Sequence, residues 1–196
     1  MDPQISEFRK ILDESSNIVF FGGAGVSTES GIPDFRSSNG LYSMKLSRTV
    51  SPEEMVSHTF YMMHPEEFFE FYRGNLIYPD AKPNACHYAL AELEKEGKLK
   101  AVITQNIDGL HQTAGSKMVH ELHGSVLRNY CEKCNTFYGL SKIIESKDVP
   151  ICDKCGGRIK PDVVLYEEAL DPDVVSAAIR AIELADTLII GGTTLI

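Results

Sequence analysis

Residues 18–36 read Ile18-Val19-Phe20-Phe21 and then GGAGVSTESGIPDFR, Gly22 through Arg36. An apolar run that empties into glycines is the pattern of a buried strand ending in a phosphate-binding loop. Gly23 and Gly25 carry no side chain to keep a ligand from the backbone N–H groups. A tight strand-to-helix turn is the plainer alternative, and the glycines alone leave it open. Thr28 stands where the third glycine of GxGxxG belongs, and no acidic residue closes a following strand in the usual place. Gly31 and Pro33 break any helix, so Asp34, Phe35 and Arg36 fall on an irregular loop beside the glycines. An acid, an aromatic ring and a base then face one small site.

Outward from this stretch, helices and strands alternate. Ile5, Phe8 and Leu12 recur at helical spacing before the first strand. Ser51-Pro52 and His64-Pro65 are helix starts, and the aromatics Phe60, Tyr61, Phe68, Phe69, Phe71, Tyr72 and Tyr78 between 60 and 78 are expected to be the core of a small helical module, with room for some of them to face a substrate channel. Pro83 is expected to open a helix with Ala85, Ala89, Leu90 and Leu93 on its apolar face, stopped by Gly97, and Ala101–Ile103 follows as a strand. Asp171-Pro172 caps a helix whose predicted buried face is Val175, Ala178, Ile179 and Ile182, and Thr187–Ile190 reads as a further buried strand. Apolar strands separated by amphipathic helices predict an α/β fold with a parallel sheet covered on both faces, its ligand at the carboxyl ends of the strands.

A chain of 196 residues with 43% hydrophobic content supports one good core and a small satellite. A formal net charge of −9 argues against binding nucleic acid, which rests on neutralising phosphates. The polar N-terminus has no leader-like apolar region, and no apolar run approaches the ~20 residues of a membrane span. The expectation is a soluble cytoplasmic protein.

Cys131-x-x-Cys134 and Cys152-x-x-Cys155, separated by residues 135–151, have zinc-ribbon spacing. Four thiolates make a closed tetrahedral site, which points to a structural Zn2+ rather than a catalytic one. Cys86, on a helix, reads as a packing residue. At the end of the strand 101–103 comes Thr104-Gln105-Asn106-Ile107-Asp108-Gly109. Its amide and carboxylate could bond a carboxamide and ribose hydroxyls, and an Asx turn leading to a helix explains the same residues. Among His111, His120 and His123, chemistry alone selects none. Gly124 leaves room for a ligand beside His123.

Together GAGVSTESGIPDFR, TQNIDGLH, the His123-Gly124 pair and the paired C-x-x-C, in this order, resemble the sirtuins, NAD-dependent protein-lysine deacylases. The resemblance implies a discontinuous Rossmann-like large domain (1–36, 81–128 and 161–196), a helical module (37–80) and a zinc ribbon (129–160). It implies NAD and Zn2+ as cofactors and an acyl-lysine protein or peptide as partner. Gly23, Ala24, Gly25 and Ser27, with Gly192, Thr193 and Thr194, would bind cofactor. Asp34, Phe35 and Arg36 would cover the nicotinamide side, Phe35 shielding the reactive sugar carbon. Gln105 and Asn106 would hold the nicotinamide-side ribose, and Ile107 and Asp108 the carboxamide. His123 would be the general base, with Asn106 and Asp108 beside it in the reaction. In the family's mechanism the acyl oxygen attacks the ribose carbon as nicotinamide leaves, and the products are free lysine, nicotinamide and O-acyl-ADP-ribose. Val164, Leu165 and Tyr166 would receive the substrate as an added strand.

Three departures carry expectations of their own. Tyr166-Glu167-Glu168 stands where the family reads F-G-E, so a need for positive φ at Glu167 would force the substrate loop to rearrange. Tyr72 is followed by Asn75 rather than the arginine of desuccinylating members, which points to acetyl or another short uncharged acyl group. The chain ends at Ile196, short of the family's remaining strands, and Thr194 replaces a serine. A C-terminal truncation is therefore expected, with a catalytically silent NAD-, ADP-ribose- or protein-binding fragment as the alternative and ADP-ribosyl transfer as a more distant one.

Overall fold

The computed structural model describes residues 2–35, 40 and 50–194. The elements are α1 (Pro3–Glu14), β1 (Ile18–Gly22), a 3-10 turn (Ala24–Ser30), α2 (Pro52–Met55), α3 (His58–Met63), α4 (Pro65–Asn75), α5 (Ala85–Lys95), β2 (Leu99–Thr104), α6 (Leu110–Ala114), β3 (Val119–Glu121), β4 (Gly124–Cys131), β5 (Phe137–Tyr138), α7 (Leu140–Glu145), β6 (Ile159–Val163), α8 (Pro172–Glu183) and β7 (Thr187–Gly191). Four strands form a parallel sheet in the order β3-β2-β1-β7, and three form an antiparallel ribbon in the order β5-β4-β6. The ribbon sheet thus begins at Gly124 and ends at Val163.

Strand periodicity explains why the parallel sheet is covered twice. Ile18, Phe20 and Val102 point to one face and pack with Leu90 of α5, while Val19, Ala101 and Ile103 point to the other and pack with Ala178 of α8. The third core joins the helical module to the ribbon. Phe60, Tyr61, Phe68, Phe69, Phe71 and Tyr72 are buried in it with Val126, Cys131, Ile143, Cys152 and Ile159. Edge-to-face rings at 5.0 Å (Tyr61–Phe68) and 5.2 Å (Phe68–Phe69) fix its packing. Tyr78, grouped with them by sequence, lines the cleft.

The expected helices form where their caps are. Ser51 Oγ accepts from the Glu54 N–H, and Asp171 Oδ1 accepts from the Asp173 and Val174 N–H groups. Four expectations about ends and buried faces are corrected. The helix after Pro83 starts at Ala85, because Asn84 is its N-cap and the His87 ring closes the capping box. Its buried face is His87 and Leu90, and Ala85 and Ala89 are exposed. On α8, Ile179 and Ile182 face outward, and the inward stripe is Ala178 and Ala181, continued past the helix end by Ala185, whose small side chains pack against the strands. Along β7 exposure alternates, so this strand is half-covered rather than buried, with Leu188 40% and Ile190 45% exposed. No helix among the described residues is long and apolar enough to cross a membrane.

Candidate functional site

The carboxyl ends of β1, β2 and β7 open into a cleft of about 1190 Å3 between the parallel sheet and the third core. Ala24, Gly25, Ser27, Asp34, Phe35, Gln105, Asn106, Ile107, Asp108, His123, Val164, Leu165, Tyr166, Gly192, Thr193 and Thr194 all lie on its wall. Gly23 is buried behind the wall, and Arg36 lies outside the described residues.

The glycines serve the fold more directly than the sequence predicts. Gly23 N–H donates to Gly191 O (3.2 Å) and Gly25 N–H to Gly192 O (2.9 Å), so these two donors hold β7 rather than face a ligand. A Cβ at Gly25 would sit 2.8 Å from the Gly192 Cα, and one at Gly192, where φ is +65°, would collide with the Val26 N–H. The turn and the end of β7 therefore touch backbone to backbone. Asn84, the cap of α5, pins the same turn through Nδ2 bonds to Val26 O (2.7 Å) and Ser30 Oγ (3.0 Å). Only its place before an Ala-Cys-His helix start signals this in sequence.

At the centre Ser27, only 1% exposed, donates from Oγ to Asp108 Oδ2 (2.7 Å) and accepts from Asn106 Nδ2 (3.0 Å). Asp108 Oδ1 accepts from the Leu110 N–H (2.9 Å), which starts α6. The Asx turn expected of this segment is therefore present, and the same carboxylate lies on the cleft wall. Asn106 is fixed by its own N–H to Thr104 Oγ1 (3.0 Å), and Gln105 by its N–H to Gly22 O (2.9 Å). Gln105 Oε1 accepts from Thr193 Oγ1 (3.2 Å), tying β2 to β7. Asp34 and Phe35 close the side of the cleft next to the third core, against which Phe35 packs.

His123 Nδ1 lies 2.9 Å from Gln105 O and donates to it, so Nε2 carries the lone pair, without a protein partner among the described residues. Burial pushes the imidazole below its ordinary value, and the Gln105 carbonyl partly offsets this. The ring is thus neutral at neutral pH. Gly124 is glycine for another reason than room for a ligand: φ is +75° and a Cβ would overlap the Asp162 carbonyl across the ribbon.

His111 was one of three histidines that the sequence could not choose among, and His87 went unnoticed because histidines read as polar. They are 0% and 1% exposed behind Asp108, with ring centroids 4.7 Å apart. His87 Nε2 and both nitrogens of His111 are buried without a partner among the described residues. Burial holds both below the usual range, and burial with His87 alongside takes His111 to about 4.

At the cleft mouth Tyr166 N–H donates to Val56 O (3.1 Å), His58 N–H to Tyr166 O (2.9 Å), and Val164 N–H to His123 O (3.0 Å). Glu167 takes up φ +75° as glutamate, so the positive φ that a glycine would reach freely is present here.

The four sulfurs of Cys131, Cys134, Cys152 and Cys155 lie within 4.8 Å of one another, with Cys131–Cys155 at 3.4 Å and Cys134–Cys152 at 3.6 Å. Tetrahedral Zn2+ at about 2.3 Å from each sulfur needs edges of roughly 3.8 Å, so the residues fit this ion. Each C-x-x-C turn ends in a left-handed residue, Asn135 at φ +53° and Gly156 at φ +71°, whose N–H returns to Cys131 O or Cys152 O. Cys86 lies apart from them, exposed on α5.

The family model described as the Sir2 family matches residues 23–196. A Clostridium perfringens (strain 13 / Type A) protein named NAD-dependent protein deacetylase is 66% identical over 196 residues, which is 100% of this chain and 80% of the relative. A Clostridium acetobutylicum protein of the same name is 61% identical over 98% of this chain and 79% of its own length. Among solved structures, Sir2 with a p53 peptide and NAD+ aligns with a TM-score of 0.84 at 44% identity, over 98% of this chain and 77% of that one. Sir2 with a deacetylated p53 peptide and 3'-O-acetyl ADP ribose aligns at 0.88 and 43% identity, over 98% and 77%.

Proposed function

This chain belongs to the Sir2 family, the sirtuins, and from that premise we propose that it is an NAD-dependent protein-lysine deacetylase. The observation that carries this is the meeting in one cleft of the Ser27–Asn106–Asp108 network with a neutral imidazole whose Nε2 has no protein partner among the described residues. Named relatives at 66% and 61% identity support the same activity.

NAD, when bound, would supply a ribose carbon whose glycosidic bond to nicotinamide breaks as the acyl oxygen takes its place, nicotinamide being the leaving group. Ala24, Gly25 and Ser27, with Gly192, Thr193 and Thr194, form the wall that receives the cofactor. Gln105 and Asn106 hold the nicotinamide-side ribose, and Ile107 and Asp108 hold the carboxamide. Asp34 and Phe35, with Arg36 next in sequence, cover the nicotinamide side and exclude water. His123 takes up a proton at Nε2, and the Gln105 carbonyl keeps the other ring nitrogen protonated and oriented. The acyl-lysine peptide adds as a strand at Val164–Tyr166, with acetyl or a short uncharged acyl group preferred. Cys131, Cys134, Cys152 and Cys155 hold a structural Zn2+, which a reducing compartment such as the cytoplasm favours by keeping the thiols free. The division into 1–36, 81–128 and 161–196, a helical module at 37–80 and a ribbon at 129–160 is part of this reading, with β4 and β6 running from the large domain into the ribbon.

Mass spectrometry of a mixture with NAD and an acetyl-lysine peptide is expected to find O-acetyl-ADP-ribose and nicotinamide. No product, with a relative active in parallel, would overturn the proposal. NAD binding without turnover would favour a silent binding module instead.

A further inference from the structure

Glu167 is one of two non-glycine residues with positive φ among the described residues, and it lies on the cleft wall. Such a conformation persists where the surroundings fix it. What fixes it is a bond across the cleft mouth: Glu167 Oε2 accepts from the Thr59 N–H at 2.8 Å, which also holds this carboxyl below the usual range. Glu168 binds the same two segments together, Oε1 at 2.8 Å from His58 Nδ1 and Oε2 at 2.9 Å from the Leu165 N–H and 3.0 Å from Lys160 Nζ. With the backbone bonds of Tyr166 to Val56 and His58, residues 164–168 are laced to residues 56–59. None of these bonds uses the Val164 carbonyl or the Glu167 N–H, so the segment keeps backbone groups with which a peptide can pair.

We propose that Glu167 is a positioning residue for the peptide substrate: its bond to Thr59 holds the Val164–Glu168 edge in its strand-accepting form before the peptide arrives. This rests on the deacetylase reading given above. A glycine there would reach positive φ at no cost but would also visit many other conformations, so the edge would have to be ordered at each binding event. The glutamate is strained once, in folding, and the peptide meets an edge already set.

Three variants test this. Glu167→Gly and Glu167→Ala remove the acceptor, whereas Glu167→Gln keeps an oxygen for Thr59. Losing one such bond is expected to raise KM for an acetyl-lysine peptide about three- to tenfold in the Gly and Ala variants, with kcat and KM for NAD within about twofold and the Gln variant near wild type. Hydrogen exchange at the Thr59 amide is expected to quicken in the Gly and Ala variants and to stay slow in the Gln variant. A Gly variant with wild-type peptide KM, unchanged Thr59 exchange, or equal rises in KM for peptide and NAD would overturn the inference. Wild-type protein without deacetylation would instead strike the activity reading, and Thr59 exchange would still test the bond.

Discussion

His123 Nδ1 sits 2.9 Å from the carbonyl oxygen of Gln105, and this one contact decides which nitrogen of the ring can act as a base. Gln105 is itself held by its N–H to Gly22 O and by its side chain to Thr193, so the imidazole is aimed by the strand ends rather than by a flexible partner.

The first prediction follows from the direction of the His123 shift. Burial lowers its pKa, so the ring stays neutral below the ordinary imidazole value of about 6.5. The acid limb of kcat/KM, measured by nicotinamide release, is then expected to have its midpoint below 6.5 and to be flat from neutral pH to mildly alkaline. A midpoint above 7 assigned to this residue would contradict the geometry. His123→Ala is expected to lower kcat by about 10²–10⁴-fold while calorimetric NAD binding persists.

Ser27 is the knot of the site. Ser27→Ala removes the donor to Asp108 Oδ2 and the acceptor of Asn106 Nδ2 together. Two polar groups near a buried wall then lose a partner, at about 1–3 kcal/mol, and Tm is expected to fall by several degrees. KM for NAD is expected to rise while KM for the peptide changes little. An unchanged KM for NAD would separate this network from the cofactor.

How much of this was legible in sequence depends on the range of the cause. Continuous apolar runs gave β1, β2 and their two covered faces, and the Asp171 and Ser51 caps gave helix starts, since each rests on neighbours a few residues apart. The cysteine spacing gave a metal site for the same reason. What stayed hidden depends on distant partners. Gly25 needs its glycine because Gly192 abuts it, and Gly124 because the Asp162 carbonyl does. Ile179 and Ile182 read as core by size, yet the sheet accepts the alanine stripe of α8 instead. His87 faces inward because the Asn84 N–H needs its Nδ1, a reason that hydrophobicity does not register.

The zinc ribbon is expected to be inseparable from the aromatic core. Cys131 and Cys152 are buried in the cluster that contains Tyr61, Phe68 and Tyr72, so losing the metal leaves like-charged or unpaired thiols at the edge of that core. Cys134→Ala, or removal of the metal with a chelator, is expected to lower Tm markedly and to broaden unfolding, and wild-type protein is expected to yield one zinc per chain by elemental analysis. Cys86→Ser, outside the cluster, should leave the zinc content unchanged.

The last prediction concerns stability in acid. In the folded chain His111 stays neutral down to about 4, whereas in the unfolded chain it takes a proton near 6.5. Between these values the unfolded state binds more protons, so stability rises with pH there. The contribution is complete above 6.5 and is lost progressively as pH falls towards 4, reaching about 3 kcal/mol at the lower end. His87, shifted the same way by burial, adds to the slope, and Asp108, which pulls it upward, reduces it. Thermal unfolding followed by circular dichroism from pH 4 to pH 7 is therefore expected to show Tm climbing up to about 6.5 and then levelling. His111→Phe fills the site without a titrating group and is expected to flatten that climb. An equally steep climb in the variant would assign acid sensitivity to other groups, and a flat profile in the wild type would mean that His111 is protonated within the fold.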